Sequence, residues 1–407
     1  MSSLKRRDFL QLSALAAGAA LLGPRLALAH AGTRRARFVL VIMRGALDGL
    51  AAVPPYADPD YAALRREVAL RAPGSEGGAL PLDGFFGLHP SLNFLAQCYA
   101  AHELTVLHAL ASPYRERSHF DGQDVLENGT PQPRAQQSGW LNRALAQLPG
   151  GAAREAGVAL GQNVPLVMRG PADVTSWSPS RLNALDEDTM TRIADLYASD
   201  ALLASRLADG LAADAIAGGS DEGGAMSAGA LSKAYNARYA EVVRAAAGFL
   251  RQEEGPRVAV FDTSGWDTHA NEGGAQGQLA GRLAALDGAL ATFKAELGSV
   301  WADTAVLLVT EFGRTAAVNG TRGTDHGTAS VALLLGGAVA GGRVLADWPG
   351  LSARALYQGR DLAPTLDLRA VLKGILGEHL GVPPRALEEH VFPGSAAASP
   401  LRGLTRA

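Results

Sequence analysis

The strongest constraint on this chain lies between residues 304 and 335. Ala305 to Val309 is an unbroken apolar run rich in Val and Leu, and Val331 to Leu335 is a second one. A half-exposed strand alternates polar and apolar residues, so short unbroken runs bounded by turns read as strands covered on both faces. Strands of that kind need helices on each side of the sheet, which makes the chain α/β. Between the two runs lie Thr310-Glu311, a turn at Gly313, and a glycine-rich loop carrying Asp325-His326-Gly327. Glu311, Arg314, Asp325 and His326 therefore all fall near the ends of buried strands. Open α/β sheets bind their ligands at such ends.

The same grammar recurs along the chain. Arg37 to Met43 reads as a buried strand and runs straight into Arg44-Gly45 and, soon after, Asp48. Asp48 sits at the sheet edge or caps the next helix. Leu104 to Leu110 is a third strand, followed by Ser112 to Asp124. Ser118 there has two readings. It can N-cap the following helix, with Asp121 at the capping-box position. It can also be a nucleophile at a helix N-terminus, where backbone N–H groups and the dipole favour an anion, with Arg115 and Arg117 beside it. Residues 257–262 form a fourth strand that ends at Asp267 and His269. Two positions apart in an extended segment, these side chains point the same way, which suits a pair of metal ligands. A turn Asp beside an exposed His is the plainer alternative. A helix over Gln276–Leu297 then leads back to the central strand, the crossover of a parallel sheet. Val158–Gly161 and Val164–Met168 read as short strands. Residues from about 186 to 253 read as a helical insertion (Thr189–Ala208 and Ser227–Arg251) within one α/β domain spanning 32–407.

Residues 1–31 read as a targeting signal. Arg6-Arg7 followed by Phe9-Leu10 is the twin-arginine export pattern. The apolar stretch Leu12–Gly23 is too short and too rich in Ala and Gly for a membrane span. Cleavage is expected after Ala29 or Ala31, delivering the chain through the twin-arginine translocase to a bacterial periplasm or to the outside, with no stable membrane span. Composition narrows the classes further. A formal charge of −3 gives no electrostatic case for binding nucleic acid. The single cysteine, Cys98, excludes an internal disulfide and a cysteine zinc site.

Taken together, these motifs resemble the family known as DUF1501. The resemblance rests on Arg44-Gly45-Ala46-Leu47-Asp48-Gly49, Ser118-His119-Phe120-Asp121-Gly122, Gly139-Trp140-Leu141-Asn142, Asp262 through His269, Glu311-Phe312-Gly313-Arg314 and Thr324-Asp325-His326-Gly327. That family's fold is thought similar to the alkaline phosphatase/sulfatase superfamily, whose members use a two-metal site and a Ser, Thr or modified Cys nucleophile. The resemblance thus implies a three-layer α/β/α sandwich with a mostly parallel central sheet. It implies Ser118 near the nucleophile position, Asp267, His269, Glu311, Asp325 and His326 as ligands of a divalent metal (Zn, Mn, Mg or Ca), and an anionic substrate. Asp48, His119 and Asp121 are further candidates. Arg44 and Arg314 stand where the superfamily places metal ligands, and arginine binds oxyanions without a metal. Two functions follow as expectations. One is an exported hydrolase of phosphate or sulfate esters. The other is a non-catalytic member that binds an anionic ligand or a protein partner.

Overall fold

The computed structural model describes residues 35–149, 156–179, 197, 203 and 228–406. The expected leader and, Tyr197 and Leu203 aside, the first helix of the expected insertion lie outside the described residues. Ala36 to Ala407 gather into one compact unit.

A nine-stranded sheet organises that unit. Its strands are β1 (Arg37–Arg44), β2 (Leu104–Ala111), β3 (Gly157–Leu160), β4 (Val174–Trp177), β5 (Val258–Ser264), β6 (Thr304–Val309), β7 (Ser330–Leu335), β8 (Arg343–Leu345) and β9 (Leu366–Asp367). In space they run β8-β2-β7-β6-β1-β5-β3-β4, with β9 also on β2. β1 is central, and Leu40 pairs with Val260 on one side and Leu307 on the other. Alternate residues of β1 feed two cores. Val39, Val41 and Met43 pack against helices α4 (Ala228–Arg251) and α5 (Gln278–Leu297), whereas Phe38, Leu40 and Ile42 pack against α3 (Trp140–Leu145) and α6 (Leu368–Glu378). Full burial of each such side chain contributes roughly 1.5–3 kcal/mol. The expected three-layer α/β/α arrangement with a mostly parallel sheet is therefore what the chain adopts.

One strand breaks the parallel rule, and the break positions the site. β7 pairs antiparallel with both β6 and β2. The loop 310–329 thus leaves the carboxyl end of β6 and enters the amino end of β7 on the same edge of the sheet. Asp325 and His326, which precede a strand, thereby join the loops that follow β1, β2 and β5.

One local expectation needs correcting. Val164–Met168 is no strand: Leu166–Met168 is a 3₁₀ turn closed by the Met168 N–H on the Pro165 carbonyl at 3.0 Å. The real edge strand is β4, whose half-exposed residues hide it from a search for apolar runs. Among the described residues, no helix is long and apolar enough to cross a membrane.

Candidate metal centre

Three loops at the carboxyl edge bring together His119, Asp267, His269 and His326. His119 is the first residue of α2 (His119–Asn128), directly after Ser118. Asp267 and His269 follow β5, and His326 precedes β7. The Asp267 Oδ1 lies 3.1 Å from His269 Nε2 and 3.4 Å from His326 Nε2, and its Oδ2 lies 3.4 Å from His119 Nε2. One ligand atom each from His119, Asp267 and His326 falls within 4.8 Å of the others, a separation one ion can bridge. Phe312 backs the cluster, with its ring 5.0 Å from that of His119 and 5.2 Å from that of His326.

Each imidazole is held by its other nitrogen. His119 Nδ1 is 2.8 Å from Glu311 Oε1, His326 Nδ1 is 2.9 Å from the Arg117 carbonyl, and His269 Nδ1 is 3.3 Å from Asp325 Oδ1. A carbonyl or an ionised carboxylate only accepts, so Nδ1 is the donor in all three rings. In their neutral form the rings would then present three bare Nε2 lone pairs to one another. The Nε2 atoms of His269 and His326 stand 3.0 Å apart, and His119 Nε2 is buried with no hydrogen-bond partner. Two lone pairs facing at that distance repel unless a proton or cation lies between them. Imidazoles oriented by an outer acceptor, with the second nitrogen free, are the usual arrangement of metal ligands. The donor set fits a divalent ion.

The charges are set by the same contacts. The hydrogen bond to Glu311 holds the His119 imidazole above its ordinary pKa, against burial. Burial pushes His326 down, and the charge of His119 adds to this. Burial opposes charge on Asp267, but Arg314 beside it outweighs burial and keeps the carboxyl below its usual range. Burial also opposes charge on Glu311, and donors from His119, Gln123 and the Gly45 N–H overcome it. The Asn319 amide holds Asp325 down.

The expected residues sort into distinct places. Asp267, His269 and His326 lie together, and His119, a secondary candidate, lies beside them. Glu311 and Asp325 instead stand behind them as acceptors for His119 and His269. The Glu311 side chain is fully buried and also accepts the Gly45 N–H at 2.9 Å and the Gln123 amide at 3.1 Å. Arg314 is sealed as well. Its guanidinium donates to the carbonyls of Ala46, Thr324, Gly45 and Trp266 and pairs with Asp267. Arg44 turns away to Asp262 at 2.6 Å and Glu127 at 2.8 Å. Ser118 occupies the N-cap position but makes no side-chain capping bond. Asp121 pairs with Arg134 at 3.0 Å instead of closing a capping box. Asp48 does cap, accepting the Ala51 N–H at 3.0 Å.

Asp48 also belongs to a buried node just inside the cluster. Its Oδ2 binds Arg65 at 2.6 Å and accepts the Thr324 hydroxyl at 3.2 Å. Glu272 lies 3.4 Å from Arg65 and accepts hydroxyls from Thr268 at 3.0 Å and Thr324 at 2.9 Å. Burial, and then the neighbouring Asp48 charge, push the Glu272 carboxyl well above the usual range. Neither Arg65 nor Glu272 stood out in the sequence; each is one charged residue in a helix or loop of unremarked type. Loop spacing is set by glycine. A Cβ on Gly323 would lie 2.4 Å from the His269 carbonyl, and one on Gly327 would lie 2.3 Å from that of Arg314.

The sequence profile of the family described as "Protein of unknown function (DUF1501)" matches residues 102–391. No curated protein matches the chain. Solved structures similar to it include Ps i-CgsB in complex with k-i-k-neocarrahexaose, at 10% identity over 90% of this chain and 77% of that one, with a TM-score of 0.41. A protein in the alkaline phosphatase superfamily from Vibrio parahaemolyticus is 11% identical over 74% of this chain and 60% of that one, with a TM-score of 0.32.

Proposed function

The chain belongs to the DUF1501 family, and from that premise we propose that it is an exported hydrolase of phosphate or sulfate esters with a divalent metal at the strand-end cluster. One observation carries this reading: three imidazoles with Nδ1 committed turn Nε2 toward the carboxylate of Asp267. His119, Asp267, His269 and His326 would hold the ion. Their imidazole majority favours Zn among Zn, Mn, Mg and Ca. When bound, such an ion polarises an ester oxygen and lowers the pKa of the attacking group. Arg314 keeps Asp267 ionised, while Glu311 and Asp325 fix two of the rings. Ser118 supplies the nucleophilic oxygen. It lies between Arg117, whose carbonyl holds His326, and His119, and its hydroxyl is not spent on capping the helix.

A second reading is binding of an anionic ligand or protein partner without turnover. The arginines weigh against turnover: Arg314 is spent on carbonyls and Asp267, and Arg44 is tied to Glu127 and Asp262, so neither is free for an oxyanion, which favours a protein partner over an anionic ligand. Elemental analysis of protein purified from its native compartment, beside a screen of phosphate and sulfate esters, decides between them. Bound metal with turnover supports the hydrolase. Bound metal without turnover supports the second reading, and absence of both overturns the metal centre. Export belongs to the same proposal: replacing Arg6 and Arg7 together by Lys should strand the precursor in the cytoplasm, and normal export of that variant would remove this part.

A further inference from the structure

We propose that Asp361, which lies outside the cluster, is a positioning residue for it: its buried carboxylate fixes the loop that carries Ser118 and His119 against the loop that carries His326. This rests on the reading of the cluster as a metal centre. One oxygen makes both contacts. Asp361 Oδ2 accepts Arg117 Nε at 2.8 Å and the Thr328 hydroxyl at 2.8 Å. Arg117 directly precedes Ser118, and Thr328 follows His326 by two positions. The Asp361 side chain is fully buried, with Arg117 and, at 3.3 Å, Arg360 as its counter-charges. A carboxylate is kept in such a place only with partners of this kind.

What the pair holds is an unfavourable turn of main chain. Arg117 has a φ of 60°, in the left-handed region where a side chain crowds the backbone. Residues other than glycine stay there only when their surroundings over-determine them. The guanidinium supplies that constraint, because it is anchored at Asp361 and again at the Gln358 side-chain oxygen, 2.7 Å from Nη2. The turn aims the Arg117 carbonyl at His326 Nδ1, 2.9 Å away. That acceptor commits Nδ1 and leaves Nε2 for the ion. An extended Arg117 would carry the carbonyl elsewhere and redirect Ser118 and His119 with it.

Asp361 is itself held from behind. Its backbone closes a tight turn with Tyr357, N–H to carbonyl in both directions at 2.8 and 3.1 Å, and bridges to Thr315 in the same loop as His326. On either side of it the Arg360 and Leu362 carbonyls accept the Ala316 and Ala329 N–H groups at 3.1 and 3.4 Å. A carboxylate rooted in this way can set the position of others, since its own main chain is tied to the loop it supports.

The test separates positioning from stability alone. Asp361→Asn, Arg117→Ala and Arg117→Gly are compared with wild type in the full mature chain. Zn affinity is read by competition with a chromophoric chelator. The His326 tautomer is read by heteronuclear NMR of metal-free protein at about pH 8, above the ordinary imidazole range. Asp361→Asn and Arg117→Ala should weaken Zn binding by about ten- to hundredfold, the range for a group that orients a ligand. Both should turn His326 from its Nδ1–H form into a mixture of tautomers. Arg117→Gly takes the left-handed turn with no side chain to crowd it, and should recover part of the affinity lost in Arg117→Ala. Urea unfolding confirms that each variant is folded. If Asp361→Asn does not fold, Thr328→Val removes the second contact with the shape kept, and should weaken Zn binding several-fold. Unchanged Zn affinity or an unchanged His326 signal in the Asp361 variant, whatever its stability, overturns the proposal, as does Arg117→Gly binding no tighter than Arg117→Ala. Failure of the metal reading looks different: wild type binds no Zn, yet its His326 signal still changes in Asp361→Asn.

Discussion

The loops after β5 and β6 have two faces, and the faces are built to opposite rules. Asp267, His269, Asp325 and His326 look outward and are partly exposed; Thr268 and Thr324, their immediate neighbours, look inward to Glu272. Inside, Arg65 lies between two carboxylates, and the threonine hydroxyls are satisfied. Outside, three imidazole Nε2 atoms crowd one carboxylate, and that of His119 has no hydrogen-bond partner. The inner face carries its own counter-charge, Arg65 against Asp48 and Glu272, and leaves the Arg65 Nε without a hydrogen-bond partner, whereas the outer face turns three imidazole nitrogens on one another. Buried polar groups left without partners cost about 1–3 kcal/mol each, and this cost is tolerated where a ligand later removes it.

The harshest way to break this contrast is to remove the inner cation. Arg65→Leu leaves Asp48 and Glu272 buried without a counter-charge, and should lower stability by about 3–5 kcal/mol in urea unfolding. In metal-free protein His326→Ala, on the outer face, should cost about 1 kcal/mol or less, since its ring is partly exposed and its main loss is one hydrogen bond. Equal losses would erase the distinction. Next comes the ion. With metal at about 100 times its Kd, stabilisation is about 2.7 kcal/mol. A chelator should therefore lower the melting temperature of wild type and leave an Asp267→Ala, His326→Ala double variant unmoved. A chelator without effect on wild type would remove the metal from the outer face.

Smaller effects sharpen the contrast. Glu272 has its folded pKa raised by burial, so the folded chain holds a proton that the unfolded chain releases above about pH 4.3. Stability from this group is thus greatest at low pH and falls as pH rises from there toward the raised value. Glu272→Gln should flatten that fall in a series of melts from pH 4 to 8, and an unchanged slope would place Glu272 outside the node's titration. The smallest expected change is that of Ser118→Ala. With no capping bond to lose, stability should move by less than about 0.5 kcal/mol, while ester turnover disappears. Retained turnover would take Ser118 out of the chemistry.

Much of this was legible in the chain. The apolar runs at 37–43, 104–110, 257–262, 305–309 and 331–335 fall on five of the nine strands, because a buried strand leaves an uninterrupted signature. Asp267 with His269, and His326 across from them, were also readable, since strand ends in such sheets share one edge. What escaped depends on direction. Glu311 has the right residue type at the right strand end, yet the adjacent Gly45 N–H and the His119 ring draw it behind the ligands. Arg314 has the charge to hold an oxyanion but is enclosed by four carbonyls. His119 looked secondary to Ser118, because nothing in a linear pattern reports which ring nitrogen finds an acceptor. Arg65 and Glu272 sit more than 200 positions apart, and only tertiary contact pairs them.

Gly313, Gly323 and Gly327 bear on how this protein can diverge. At each position a methyl group would collide with backbone of the facing segment: the carbonyls of Ala329, His269 and Arg314. None of the three has the left-handed φ that would call for glycine on conformational grounds. They are places where two lengths of main chain touch, so the gap between the histidine loops is fixed by hydrogen atoms rather than by side chains that can be exchanged and repacked. Variation is therefore channelled. An exposed rim position such as Phe120 can be rewritten, changing what approaches the cluster, with the spacing of the cluster intact. A library built to alter ligand preference should randomise that rim and leave the three glycines alone, because an alanine at any of them would spread the loops and change every distance in the centre at once.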